Sequence, residues 1–161
     1  MAIEIAHNGH VNREAVLQDF AARSLPPPAA ILRGDCLEAA TRARAREAIG
    51  GGPFDIIVTD PPYGIREALD AAGAVDVGPR PLSPLARFFR AMGEDRAARA
   101  PLLRPGGRLV AFVPVRKGER LVDCVPDARA REAAGLLMEG EGKEQVLSDY
   151  LSRWLVSFVC V

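Results

Sequence analysis

Polar and apolar positions along the chain change period several times, and each change marks an element. Residues 11 to 23, VNREAVLQDFAAR, put Val11, Ala15, Val16, Phe20 and Ala22 mostly on one side at a 3.6-residue period. That spacing predicts a helix, stopped by the three prolines that follow at 26 to 28. AAILRGD, residues 29 to 35, reads as a short strand, and a second helix spans Cys36 to Ile49 before the Gly50–Gly52 stop. FDIIVTD, residues 54 to 60, is a second strand, and its consecutive Ile56, Ile57 and Val58 predict cover on both faces, as in a parallel sheet. Residues 70 to 83, DAAGAVDVGPRPLS, have the glycine and proline content of a mobile loop. A helix from about Pro84 to Leu103 follows, and RPGGRLVAFVPV is a tight turn into a third strand. Residues 127 to 134 read as a helix, GLLMEGEGKEQV as a fourth, more exposed strand, and RWLVSFVCV as a fifth.

Strand and helix alternate through the first three strands, which predicts a doubly wound α/β sheet. Only LSDYLS separates the last two strands, so they are expected to form an antiparallel pair at one edge. Ligands of doubly wound sheets sit beyond the carboxyl ends of the strands, where Asp35 and Asp60 both fall.

Composition narrows this picture only modestly. At 161 residues and 48% apolar the chain suffices for one core, so residues 1–161 read as one domain, with residues 1–10 expected to lack order. Lys plus Arg, 21, equals Asp plus Glu, 21, so no global positive field points to a polyanion. The Arg-rich runs ATRARAREA and DARAREAAG read as solvated helix faces. Three dispersed cysteines, Cys36, Cys124 and Cys160, make no disulfide framework, and His7 with His10 supplies no zinc set. The expectation is a metal-free, reduced, cytoplasmic chain. The longest apolar run, WLVSFVCV, is too short for a bilayer, and no membrane association is expected.

The Asp-Pro-Pro-Tyr corner at 60 to 63 carries the candidate chemistry. Asp60 could be a helix N-cap with proline after it, but Pro62 disfavours helical geometry at Pro61. A rigid extended turn results, lacking two consecutive N–H donors and rich in acceptors. Such acceptors, the Asp60 carboxylate and the Pro61 carbonyl, suit a planar amino group, one for each N–H, turning its lone pair toward an electrophilic methyl. Tyr63 would stack on the base, a contact worth roughly 1–3 kcal/mol.

DPPY after an apolar strand resembles motif IV of the amino-group methyltransferases that use S-adenosylmethionine, and LLRPGGRLVAF resembles the turn and fifth strand of the class I methyltransferase fold. The longer TDPPYGIRE, with GRLVAFVPV and SRWLVSF, resembles the tRNA guanine methyltransferases that act on the exocyclic amino group at position ten, proteins that also carry a THUMP domain. The resemblance covers about residues 11 to 161. It implies Asp60, Pro61, Pro62 and Tyr63 as the target-base site, Asp35 as a contact to the cofactor's adenine with Asp60 also on the cofactor, tRNA as partner and a small zinc-binding activator subunit. Asp35 with Glu38 also reads as a capping box, and the two roles are compatible. Arg66 suits RNA phosphate or a local carboxylate. Cys36 and Cys124 read as packing residues.

The resemblance also exposes a gap. The family's Gly-rich turn and its two flanking strands find no counterpart, and GEGK at 140 to 143 lies in the wrong place. The chain therefore reads as the C-terminal part of a Rossmann-like sheet whose full order would be 3-2-1-4-5-7-6, with strands 1 and 2 missing. AAILRGD is then expected to be displaced or to dock beside FDIIVTD, and the chain alone to bind S-adenosylmethionine negligibly. Two other readings remain: a non-catalytic remnant, or a DNA adenine or cytosine amino methyltransferase, which shares DPPY.

Overall fold

The computed structural model describes residues 3–6, 12–61 and 83–161. These group into two compact units, Met1–Pro53 and Phe54–Val161, each described by itself.

In the first unit, β1 (Ile3–Ala6) and β2 (Ala30–Arg33) pair in parallel, Ile3 opposite Ala30 and Ala6 opposite Arg33. Residues 1–10 were expected to lack order, yet IEIA within them is a strand; four residues are too few to announce themselves by period. Within this unit β2 has β1 as its neighbour, in a two-stranded sheet of its own. The parallel connection requires a crossover, which contains α1 (Arg13–Ala22). Asn12 caps α1, its Oδ1 accepting from the Glu14 N–H at 2.9 Å. Val16 and Phe20 are half-buried, and no residue of α1 is fully buried. The second helix, α2 (Ala39–Glu47), is shorter than the predicted Cys36–Ile49 because Asp35 bends the chain before it.

The second unit is a four-stranded sheet in the order β3-β4-β6-β5, built from β3 (Phe54–Thr59), β4 (Leu103–Arg116), β5 (Leu136–Ser148) and β6 (Leu151–Cys160). β3 and β4 are parallel and the other pairs antiparallel, which is the 4-5-7-6 end of a Rossmann-like sheet with the expected C-terminal pair. Between β3 and β4 lies α3 (Pro84–Ala97), started by Ser83, whose Oγ accepts from the Ala86 N–H at 3.1 Å. It ends well before Leu103: Arg99 takes φ 58, Pro101 follows, and Leu102 and Leu103 are buried at the entry to β4. Two further helices, α4 (Leu121–Cys124) and α5 (Ala128–Ala134), precede β5, and only α5 was legible in the sequence.

Alternation along β4 decides which face holds the core. Leu109, Ala111, Val113 and Val115 are buried beneath Leu85, Phe89 and Met92 of α3, together with Val156 and Phe158 of β6. Phe89 and Phe158 meet edge to face at 5.0 Å and 78°. Such a contact is worth about 0.5–1.5 kcal/mol beyond the area it buries.

The opposite face carries Ile56, Val58, Arg108, Val110 and Phe112, by register with their neighbours. Ile56 is 60% and Val58 72% exposed, so the expectation that β3 is covered on both faces fails. The reason is its place at the sheet edge, with helices packed on one side only among the described residues. The predicted turn at Pro105–Gly107 is instead a bulge inside β4. Phe54 pairs with Leu103 and Ile56 with Arg108, so residues 104–107 stand opposite Asp55.

Candidate functional site

Asp60 follows the last residue of β3, where Thr59 pairs with Ala111, so its carboxylate stands at the carboxyl end of the parallel pair. Its side chain is 52% exposed, and Oδ2 accepts from Arg153 Nη1 at 3.3 Å. Arg153 comes from β6, pairs in register with both Pro114 and Gln145, and is 26% exposed. Its guanidinium lies over the Phe112 ring, 4.1 Å from the centroid, and its Nε donates to Gln145 Oε1 at 2.7 Å. The side chain thus crosses β4 on an aromatic surface to reach β3. Phe112, Gln145 and Arg153 come from three different strands, and Asp60 from the residue that follows a fourth.

Pro61 continues the corner and is half-buried. Pro62, Tyr63 and Arg66, with residues 70–82 of the segment expected to be a loop over 70–83, lie outside the described residues. The stacking face and second proline of the sequence reading therefore have no structural description.

Asp35 belongs to the first unit. Its Oδ1 accepts from the Leu37 N–H at 2.8 Å and its carbonyl from the Glu38 N–H at 3.0 Å, a local turn after β2. The capping-box reading fails, because Glu38 occupies the N-cap position of α2 and makes no side-chain cap bond. The turn is instead gripped by Arg42, whose Nη1 donates to the carbonyls of Cys36 and Leu37 at 3.1 and 2.6 Å. Arg42 is 2% exposed, so this member of the Arg-rich run is buried structure rather than solvated surface. Burial, then the Asp35 carboxylate, pushes the Cys36 thiol above its ordinary range. A thiol so held is a poor nucleophile.

On the same sheet face as Asp60, Arg108 grips Glu139 with two bonds, 2.9 and 3.1 Å, and Ser157 Oγ adds a third at 3.1 Å. The hydrogen bond from Arg108 holds the Glu139 carboxyl below the ordinary glutamate value. At the other end of β3, Arg104 does the same to Asp55.

Neither of two clefts reaches Asp60. One, about 130 Å³, is lined by Met92, Arg96, Leu103, Pro105 and Cys160; the other, about 320 Å³, by Arg96, Arg131, Leu136 and Val161 among others. The first lies where β4 starts and β6 ends and the second where β5 starts and β6 ends, the opposite end of the sheet from Asp60. GEGK sits in a bulge of the edge strand β5, where Glu139 pairs with Ser157 and Lys143 with Leu155. Among the described residues there are acceptors suited to an amine and no cradle for S-adenosylmethionine. Among them, too, no three His, Cys, Asp or Glu side chains gather as a metal site, and no helix is long and apolar enough to cross a membrane.

The sequence reading missed Arg153, Phe112 and Gln145. Arg153 was visible only as a cation in an otherwise apolar strand, and 93 residues separate it from Asp60.

Several solved structures are similar to this chain in fold, methyltransferases among them. The Escherichia coli protein yhhF, assigned as a methyltransferase, is 13% identical over 99% of this chain and 63% of its own, with a TM-score of 0.49. TrmN from Thermus thermophilus is 18% identical over 89% of this chain and 32% of its own, TM-score 0.45. A methyltransferase from Pyrococcus furiosus is 14% identical over 99% and 62%, TM-score 0.44. The chain thus spans less than two thirds of the length of each. Identities this low carry no residue's role from those proteins to this one. No family model and no curated protein matches the chain.

Proposed function

We propose that this chain carries the acceptor side of an amino-group methyltransferase, which transfers methyl from S-adenosylmethionine to the exocyclic amino group of a guanine in tRNA. The observation that carries the reading is Asp60, followed by Pro61, half-exposed at the carboxyl end of a parallel strand. There the Asp60 carboxylate and the Pro61 carbonyl accept the two N–H bonds of the amine, which holds its nitrogen toward an incoming methyl. Tyr63 supplies the stacking face and Asp35 a contact to adenine, both carried by the motif resemblance. S-adenosylmethionine would supply the methyl. Beyond that resemblance-based role for Asp35, the described residues do not fit it, and the donor side is assigned to no other of them. tRNA is the macromolecular partner, and a zinc-binding activator subunit rests on the resemblance alone.

Two titrations test this. In the first, fluorescence anisotropy compares an unmodified tRNA transcript with duplex DNA of similar length. tRNA is expected to bind more tightly, with Asp60→Ala weakening it about tenfold, as loss of a charge-assisted hydrogen bond does. Equal binding of the two nucleic acids, or indifference to Asp60, would sink the reading. In the second, guanosine monophosphate is compared with inosine monophosphate, which lacks the amino group. Guanosine should bind better by about tenfold if the corner reads that group. Calorimetry with S-adenosylmethionine should give no heat, and micromolar binding would overturn the division into acceptor and donor sides.

A second reading, a remnant without catalysis, is favoured by one observation: neither cleft lies at Asp60. Nucleotide binding that ignores Asp60 would select it.

A further inference from the structure

We propose that Arg153 is a positioning residue for Asp60, setting the carboxylate in the orientation that receives the target amine; this rests on the reading of Asp60 above. The side chain is held on three sides. Gln145 Oε1 takes its Nε–H at 2.7 Å, the Phe112 ring lies under the guanidinium at 4.1 Å, and Asp60 Oδ2 takes Nη1–H at 3.3 Å. A guanidinium is a planar fork, so fixing Nε and stacking its plane fixes where its remaining donors point. Gln145 and Phe112 lie in the sheet, on β5 and β4, so the aim is set by the rigid framework. Asp60 itself sits past the end of β3, where no strand register constrains it. Side-chain contacts therefore set the rotamer of that carboxylate, and a bond from a fixed donor favours one orientation.

Magnitudes favour orientation over stability as the role. The pair is partly exposed, and such pairs contribute little to folding. Orientation is a different matter, because a carboxylate turned into another rotamer points its oxygen away from the N–H and loses the hydrogen bond to a planar amine.

A basic residue near a nucleic-acid site could instead bind phosphate, and a double-mutant cycle separates the two roles. Unmodified tRNA transcript is titrated against the wild-type chain, Arg153→Gln, Asp60→Asn and the double variant, across a salt series. Positioning predicts that R153Q weakens binding about tenfold, that the loss nearly disappears in the D60N background, and that the salt slope is unchanged. A phosphate contact predicts losses that add and a salt slope lower by about one. Gln145→Ala, which loosens the anchor without touching either charge, should lose about threefold, and Arg153→Lys should not restore binding because it cannot make both bonds. Circular dichroism confirms that each variant is folded, and Q145A keeps the test sound if R153Q is not. Dependence on Asp60 with none on Arg153, or additive losses with a reduced salt slope, overturns the positioning role alone. Binding indifferent to Asp60 defeats the underlying functional reading and the positioning role with it.

Discussion

At the scale of single residues, charge placement makes an acid-side prediction. The Arg108 hydrogen bond lowers the Glu139 carboxyl below 4.5, and Ser157 assists. A folded value below the unfolded one means that the pair stabilises above about pH 4.5 and that its contribution is lost as pH falls through the lowered value. Urea denaturation from neutral pH to about pH 3 should therefore lose less stability in Glu139→Gln than in the wild type. Asp55 and Asp123, lowered by Arg104 and Arg120, act in the same direction and remain in the variant, so the slope is reduced rather than abolished. An identical pH profile would show that the ion pair does not couple to folding. Residue identity alone was a poor guide to such roles. Arg42 and Arg44 sit in one repetitive run, yet Arg42 is buried against two carbonyls and Arg44 is not among the buried residues of α2.

At the scale of elements, boundaries followed local chemistry where caps and prolines spoke, as at Asn12, Ser83 and Asp127. They failed where two elements shared one apolar stretch. Leu102 and Leu103 extend the period of α3 on paper, and the left-handed Arg99 with Pro101 hands them to β4. The bulge that follows depends on Gly107, where a Cβ would lie 2.9 Å from the backbone oxygens of both Asp55 and Arg104. Neither oxygen belongs to a flexible side chain, so the strands must separate to admit a methyl group. Gly107→Ala should cost about 1–3 kcal/mol by denaturant titration. It should also speed amide hydrogen exchange in β3 while leaving β5 and β6 protected. Uniform or unchanged exchange would count against a bulge that locks β3 to β4.

At the scale of the whole molecule, the two edges of the larger sheet differ in kind. β5 carries Glu141, Lys143 and Glu144 around its bulge, devices that discourage edge pairing. β3 has a neighbour on one side only among the described residues, and between Asp55 and Asp60 it carries no charge. An edge of this composition promotes association between chains. The wild-type chain is expected to self-associate with concentration in sedimentation velocity, and Val58→Lys, at a position 72% exposed, should lower that association and leave the thermal midpoint nearly unchanged. Self-association equal in the variant would assign it to another surface.

The types of the longer strands and helices, the C-terminal antiparallel pair and the seat of Asp60 at a strand's carboxyl end were legible from consecutive residues, while the four-residue β1 and α4 were not. Period, proline and capping chemistry act over a few positions, so a linear reading reaches them. Three features came only from tertiary pairing: β1 beside β2, the exposed face of β3, and Arg153 laid across Phe112 to meet Asp60. Each joins or separates segments far apart in the chain. Such pairings follow from how strands order themselves into a sheet, which no local pattern encodes.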